Sequence, residues 1–297
     1  MAEAHRLGRV QDHSRGNGLR LGTTRHRPVG VFDSGVGGLS VLNALRVALP
    51  HEDFVYYADA AHAPYGERDD AFVAQRTQAV ARALRGTHDI KALVVACNTA
   101  TAAAIHLLRA DHPDLPLVGL EPAIKPAVAL SQTRHIAVLA TRGTVTSRKF
   151  QALRDALAGQ AHFHAVACDG LAAAIEQADS AQIARLCERY VRQAGDFGGA
   201  EGQIDTLVLG CTHYPLVADA FRRHTGAAVR FIDTGAPVAQ QTQRLLAAGN
   251  LLVDDTHTGD VTLTGSGDIA ALKASAARWI AWQTVPTAST LAPSPSA

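Results

Sequence analysis

Only four lysines occur in the 297 residues, Lys91, Lys125, Lys149 and Lys273, so arginine carries most of the basic charge. A pyridoxal enzyme needs a Schiff-base lysine beside a phosphate cradle. Lys125, in Glu121-Pro122-Ala123-Ile124-Lys125, lies nearest a motif, and nothing around it suggests phosphate binding. The formal net charge is +1, which gives neither nucleic acid nor an anionic membrane surface a reason to bind. No apolar run approaches the roughly 18 residues of a membrane span. The cysteines are Cys97, Cys168, Cys187 and Cys211; a chain this long and this apolar needs no disulfide framework, so all four are expected as reduced thiols in a cytoplasmic protein. Residues 1–27 are Arg-rich and acid-poor and lack the apolar stretch of a secretory signal, so they are expected as a disordered extension. Residues 284–297, rich in Pro, Ser, Thr and Ala, are expected as a flexible tail.

Core-forming residues, by contrast, are plentiful. Hydrophobic residues make up 47% of the chain and charged residues 19%, enough for one large or two modest α/β domains. Val29–Phe32, Phe54–Ala58, Leu93–Ala96 and Leu117–Gly119 are short apolar runs bounded by turn residues, as parallel strands covered on both faces should be. Between them Leu39, Leu42, Leu45 and Leu49 mark one helical face, and Phe72, Val73, Val80 and Leu84 another. A second series follows, with strands at Ile136–Leu139, Phe163–Val166, Leu207–Leu209 and Val229–Ile232 and helices at Thr146–Leu157 and Ala181–Gln193; Pro215 and Pro237 stand where helices could start. The alternation predicts an α/β fold of two similar domains with mainly parallel sheets, related by pseudo-symmetry, with ligand bound in the cleft between the carboxyl ends of their strands.

Two stretches carry the sharpest chemical signal. Leu93-Val94-Val95-Ala96-Cys97-Asn98-Thr99-Ala100 and Leu207-Val208-Leu209-Gly210-Cys211-Thr212-His213-Tyr214 each run from a buried strand into a cysteine, small polar residues and an expected helix start. Partial positive charge at a helix start favours thiolate. A thiol from each half suggests one site with sulfur on either side, the arrangement needed to exchange a proton on both faces of one carbon. Cys168 and Cys187 read as small core hydrophobes. His213, two residues beyond Cys211, could carry that thiol's proton. The same pair could be half of a metal site, but no second close pair supplies the remaining ligands. A cysteine hydrolase would leave Cys97 unexplained. The loop Asp33-Ser34-Gly35-Val36-Gly37-Gly38-Leu39-Ser40 imitates a dinucleotide fingerprint, yet Ser40 occupies the third glycine position; a tight turn presenting backbone N–H groups to a carboxylate suits it better.

At these residues the sequence resembles the glutamate racemase family, over about residues 28–246. The matching stretches are Val31-Phe32-Asp33-Ser34-Gly35-Val36-Gly37-Gly38-Leu39, Pro64-Tyr65-Gly66, Ala96-Cys97-Asn98-Thr99-Ala100, Thr141-Arg142-Gly143-Thr144-Val145 and Gly210-Cys211-Thr212-His213-Tyr214-Pro215. Glu176 lies eight residues beyond Cys168, where the family carries a glutamate; the proline that usually follows the cysteine is here Asp169. The resemblance implies that Cys97 and Cys211 are the acid/base pair, with Asp33 assisting Cys97, His213 assisting Cys211 and Glu176 in support. It implies substrate contacts from Asp33, Ser34, Tyr65, Gly66, Asn98, Thr99, Thr141, Thr144, Thr212 and His213. It further implies no cofactor and no metal, glutamate as the small-molecule partner, no nucleic-acid or membrane partner, a homodimer, and a supply of D-glutamate for cell-wall peptidoglycan. The family's discontinuous domains would correspond to residues 28–120 with 233–283, and to 121–232. Aspartate or a hydantoin as substrate, and a non-catalytic amino-acid-binding protein, are the competing readings.

Overall fold

The computed structural model describes residues 24–279. The tail expected over 284–297 and most of the expected N-terminal extension lie outside the described residues. The last residues of that extension are docked rather than free: Arg25 donates from Nε to the Asn250 carbonyl (3.0 Å), and Arg27 pairs with Asp89 (2.9 Å).

Two parallel sheets form the frame. The first contains β1 (Val29–Asp33), β2 (Phe54–Ala58), β3 (Ala92–Val95), β4 (Leu117–Gly119) and β9 (Val261–Gly265), in the order β4-β3-β1-β2-β9. The second contains β5 (His135–Ala140), β6 (His162–Ala167), β7 (Thr206–Leu209) and β8 (Arg230–Ile232), in the order β6-β5-β7-β8. Alternation along the strands feeds two apolar layers per sheet, as burial on both faces demands. In the first lobe Val29 and Val31 pack with Leu39, Leu42 and Leu45 of α1 (Leu39–Ala48), while Phe32, Leu93 and Val95 pack with Val73, Val80 and Leu84 of α2 (Asp70–His88). In the second lobe Leu139, Leu207 and Leu209 face one layer, and Ile136, Val138 and Val208 face the other.

The remaining helices connect these strands: α3 (Asn98–Asp111), α4 (Ile124–Leu130), α5 (Arg142–Thr146), α6 (Arg148–Asp155), α7 (Leu171–Glu176), α8 (Ser180–Ala194), α9 (Ala218–Thr225), α10 (Gly235–Ala248) and α11 (Ile269–Trp279). Three features differ from the sequence expectation. The single helix expected over Thr146–Leu157 is interrupted at Ser147, which is extended and whose hydroxyl accepts from the Phe150 N–H, ending α5 and capping α6. Pro215 stands in a 3-10 turn, Tyr214–Val217, so the α-helix begins only at Ala218. Strand β9 was not expected; its signal was the alternation Val261-Thr262-Leu263-Thr264 between Gly259 and Gly265. It pairs in parallel with β2, so the chain after β8 returns to the first sheet. A buried ion pair fastens that return. Lys91 meets Glu52 and donates to the carbonyls of Arg25 and Leu251, and Glu52 accepts from the Val253 N–H (3.0 Å).

Candidate active site

Both sheets present their carboxyl ends to one cleft, the place where open parallel sheets gather their loops. Cys97 follows β3 and caps α3, its Sγ accepting from the Ala100 N–H at 3.5 Å. Cys211 follows β7. The two thiols line the same narrow cavity, about 20 Å³, little more than one water needs. Ser34, Tyr65, Gly66, Asn98, Thr99, Thr141, Thr212, His213 and Glu176 line it with them. Two of the expected site residues stand one layer back. Asp33 is fully buried beneath the cavity and reaches it through Ser34 and Thr212, whose hydroxyls donate to its carboxylate at 3.3 and 3.2 Å. Thr144 accepts from the Thr141 hydroxyl (3.0 Å) and does not line the cavity. Tyr65 lines the cavity, but its hydroxyl proton is committed to Asp59 at 2.5 Å, so it does not donate to a ligand there.

The glycine loop after β1 does bring N–H groups to carboxylates, but to the protein's own. Those of Ser34 and Gly38 donate to Asp33, and that of Val36 donates to Glu176 (2.7 Å). Glycine is required here by close approach. A Cβ at Gly35 would lie 1.8 Å from Glu176 Oε1, and one at Gly37 would lie 2.3 Å from His213 Nδ1. The segment in which Asp169 replaces the usual proline still delivers Glu176 to the site; Asp169 itself pairs with Arg142 outside the cavity.

The two thiols have unlike partners. Cys97 donates weakly to the Ser34 hydroxyl (3.9 Å), which donates in turn to Asp33. Burial, reinforced by the Asp33 charge, drives the Cys97 thiol well above its ordinary range, overriding the helix-start effect expected from sequence. Burial also raises Asp33, reinforced by Glu176 and opposed by His213. On the other side Cys211 Sγ lies 3.6 Å from His213 Nδ1, and His213 Nε2 lies 2.5 Å from Glu176 Oε1. Burial disfavours a charged His213, but its hydrogen bonds to Cys211 and Glu176 overcome this and hold it well above the ordinary imidazole value. Glu176 is likewise resisted by burial yet held below the ordinary carboxylate range by His213. Both shifts favour a proton on His213 facing a charged Glu176.

Asn98 supplies a different signal. Its side-chain oxygen and nitrogen are buried at the cavity and have no hydrogen-bond partner in the protein. A buried amide left unpaired on both atoms is costly, and a ligand carboxylate or amine would relieve it. Among the described residues no group of three or more His, Cys, Asp or Glu side chains is arranged to hold a metal ion.

Comparison with known proteins bears on this arrangement. Residues 39–242 match the family model described as Asp/Glu/Hydantoin racemase. A glutamate racemase of Pseudomonas syringae is 48% identical over 244 residues, covering 82% of this chain and 86% of its own length. This chain belongs to the glutamate racemase family. Among solved structures, a glutamate racemase isoform from Bacillus anthracis superposes with a TM-score of 0.75 at 30% identity, covering 86% of this chain and 94% of that one. The Escherichia coli glutamate racemase, solved with L-glutamate and an activator, gives 0.69 at 32% identity, covering 80% and 88%. The two-lobed frame of parallel sheets is thus the frame of glutamate racemases.

Sequence reasoning missed Ala63 and Ala172 in the wall, quoted Pro64 in its motif without assigning it to the site, and missed Asp59 with Arg76 behind Tyr65. The small apolar residues carry no chemical signal of their own. Asp59 did carry one, since it follows β2 directly, as Asp33 ends β1.

Proposed function

We propose that this protein interconverts L- and D-glutamate by moving the α-proton between two cysteines, without a cofactor. The observation that carries the reading is the sharing of one cavity by Cys97 and Cys211, each delivered by the carboxyl end of a different sheet. One sulfur, as thiolate, removes the α-proton from one face of the substrate; the other, as thiol, returns a proton to the opposite face. The reverse reaction exchanges the roles. His213 can hand a proton to Cys211 or take one back, with Glu176 holding the charge that results. Asp33 serves Cys97 in the same way through the Ser34 hydroxyl.

The α-proton of an amino acid is a very weak acid, because the adjoining carboxylate resists further negative charge. Each tenfold in rate requires about 1.4 kcal/mol of transition-state stabilisation. Neutral donors fixed in a dry cleft are suited to supplying it, and the Asn98 amide and the backbone of Tyr65 and Gly66 provide them; Ser34, Thr99, Thr141 and Thr212 line the cleft with hydroxyl oxygens whose protons are engaged within the protein. Thr144 acts one step back, through Thr141. The cavity is narrow, and by this reading the lobes, within the described residues 28–120 with 233–279 and 121–232, part for glutamate to enter and close for chemistry.

By this reading the enzyme is a cytoplasmic homodimer that supplies D-glutamate for peptidoglycan. The deciding experiment follows the optical activity of L-glutamate with purified protein and no added cofactor. Decay to zero rotation is expected, and aspartate and hydantoins should stay unchanged. Unaltered glutamate rotation, or faster loss with aspartate, would overturn the proposal.

A further inference from the structure

Behind the cleft wall sits a buried carboxylate that the racemisation scheme does not use. Asp59 is fully buried at the end of β2, and its N–H donates to the Asp33 carbonyl at 2.9 Å, so it begins beside the loop that carries Ser34. Its carboxylate gathers the following turn around itself. Arg76, from α2, binds it with two parallel bonds, Nε to Oδ2 at 3.0 Å and Nη2 to Oδ1 at 2.9 Å. The Tyr65 hydroxyl donates to Oδ2 at 2.5 Å, and His62 Nδ1 lies 3.1 Å from Oδ1. Two residues of one turn and one residue of a helix thereby share a single anion.

The anchored turn is the part of the first lobe that faces the second. Ala63, Pro64, Tyr65 and Gly66 line the cavity. A Cβ at Gly66 would stand 2.7 Å from that of Thr141, and the next residue, Glu67, accepts from the Gly170 N–H at 3.0 Å, at the start of the helix carrying Glu176. The wall is therefore fixed on one side by Asp59 and meets the opposite lobe on the other. Bidentate arginine–carboxylate geometry, buried at the carboxylate, holds direction as well as distance. It keeps Asp59 ionised: burial opposes the charge, and the bonds from Arg76 and Tyr65 outweigh burial.

We propose that Asp59 is a positioning residue for substrate, acting through Tyr65 with Arg76 as its counter-ion. It sets the wall of residues 63–66 at the distance where the backbone of Tyr65 and Gly66 meets a bound amino acid. The inference rests on the racemase reading above. It places the effect of Asp59 in substrate binding rather than in proton transfer, because none of its bonds reaches Cys97 or Cys211.

The test is a kinetic cycle of Asp59→Asn, Tyr65→Phe and the double variant, with Asp114→Asn as control. Asp114 pairs with Arg85 on the same helix as Arg76, but at the surface. Asp59→Asn and Tyr65→Phe are each expected to raise KM for glutamate about tenfold, the scale of one hydrogen bond to a charged group, while kcat changes less than about threefold. The double variant should be no more than about twofold worse than Asp59→Asn, since both remove the same link. Asp114→Asn should leave both constants unchanged. Independent effects that multiply in the double variant, or a fall in kcat with KM unaltered, would overturn the proposal. If Asp59→Asn does not fold, Arg76→Lys with Tyr65→Phe forms the same cycle with the same expectations. A wild-type protein that leaves glutamate unracemised defeats the racemase reading instead, a result visible before any variant is made.

Discussion

The loop that carries Cys97 and the loop that carries Cys211 begin alike and end differently. Each leaves the end of a buried parallel strand with a cysteine followed by small polar residues. The first then enters a 14-residue helix directly, with the cysteine as its cap. The second passes through Thr212 and His213 into a short 3-10 turn before its helix begins. This difference decides what stands beside each sulfur. Cys97 faces a hydroxyl backed by a buried carboxyl whose affinity for protons is raised by burial. Cys211 faces an imidazole whose affinity for protons is raised by its bonds to Cys211 and Glu176. Similar backbone frames therefore supply matched positions and unmatched charge. A reaction that runs in both directions through one carbon needs one thiol and one thiolate at a time, and unlike partners keep the two sulfurs from sharing one protonation state.

Removing either sulfur should break the comparison most severely. Cys97→Ala and Cys211→Ala are each expected to lower glutamate racemisation by about 10²–10⁴-fold, the worth of a positioned acid or base. In deuterated water each variant should still exchange the α-proton of one enantiomer, and the two variants should choose opposite enantiomers. Exchange of both enantiomers by a single variant would show that one sulfur serves both faces.

Altering the partners should sharpen the comparison with smaller effects. His213→Asn removes the imidazole beside Cys211 and should reduce kcat/KM about 10²-fold. Because the enantiomers have equal free energy in water, kcat/KM must fall equally in both directions. The asymmetry should appear in isotope exchange, slowed more for the enantiomer whose proton Cys211 handles. Ser34→Ala removes a long, weak contact to Cys97 and should cost only about tenfold, with exchange slowed more for the other enantiomer. Identical exchange patterns in the two variants would mean that the partners do not belong to separate sulfurs.

Much of this was legible in the residues, for physical reasons that differ by element. Strands β1, β3, β5 and β7 are buried on both faces, so their apolar runs stand out, and the cysteines that follow β3 and β7 are placed by those strands alone. Strand β9 is an edge strand with only partial burial, and its weaker Val-Thr-Leu-Thr alternation did not rise above the surrounding polar chain. The cleft residues Ser34, Asn98, Thr99 and Thr212 sit within a few positions of strand ends and inherit that clarity. The Glu176–His213 pair joins two loops 37 positions apart in the second lobe, and Asp33 takes a bond from Thr212 of the opposite lobe; no local pattern encodes either. Asp59 shows the same limit. Its position after β2 was visible, but its bonds from His62, Tyr65 and Arg76 come from residues three to seventeen positions away whose spacing forms no motif.

The smallest expected effect concerns stability, and it isolates the Cys211 side alone. Glu176 is held below the ordinary carboxylate range, so it contributes stability that is complete above its unfolded value, about 4.3, and is lost as pH falls through its lower folded value. His213 is held above the ordinary imidazole range, so its contribution is complete below about 6.5 and is lost as pH rises through its raised folded value. Both contributions are whole only between those two limits. Glu176→Gln keeps the shape of the side chain and removes its charge, leaving the buried His213 without its counter-ion. The gap in Tm between the wild type and this variant should therefore be widest between about pH 4.3 and 6.5, roughly 3–6 °C for a hydrogen bond to a charged partner in a chain of this size. It should narrow toward alkaline pH as His213 loses its proton in both proteins. A thermal-shift series across pH 4–10 reads the gap directly, and a gap that widened with rising pH would show that His213 is neutral beside Cys211.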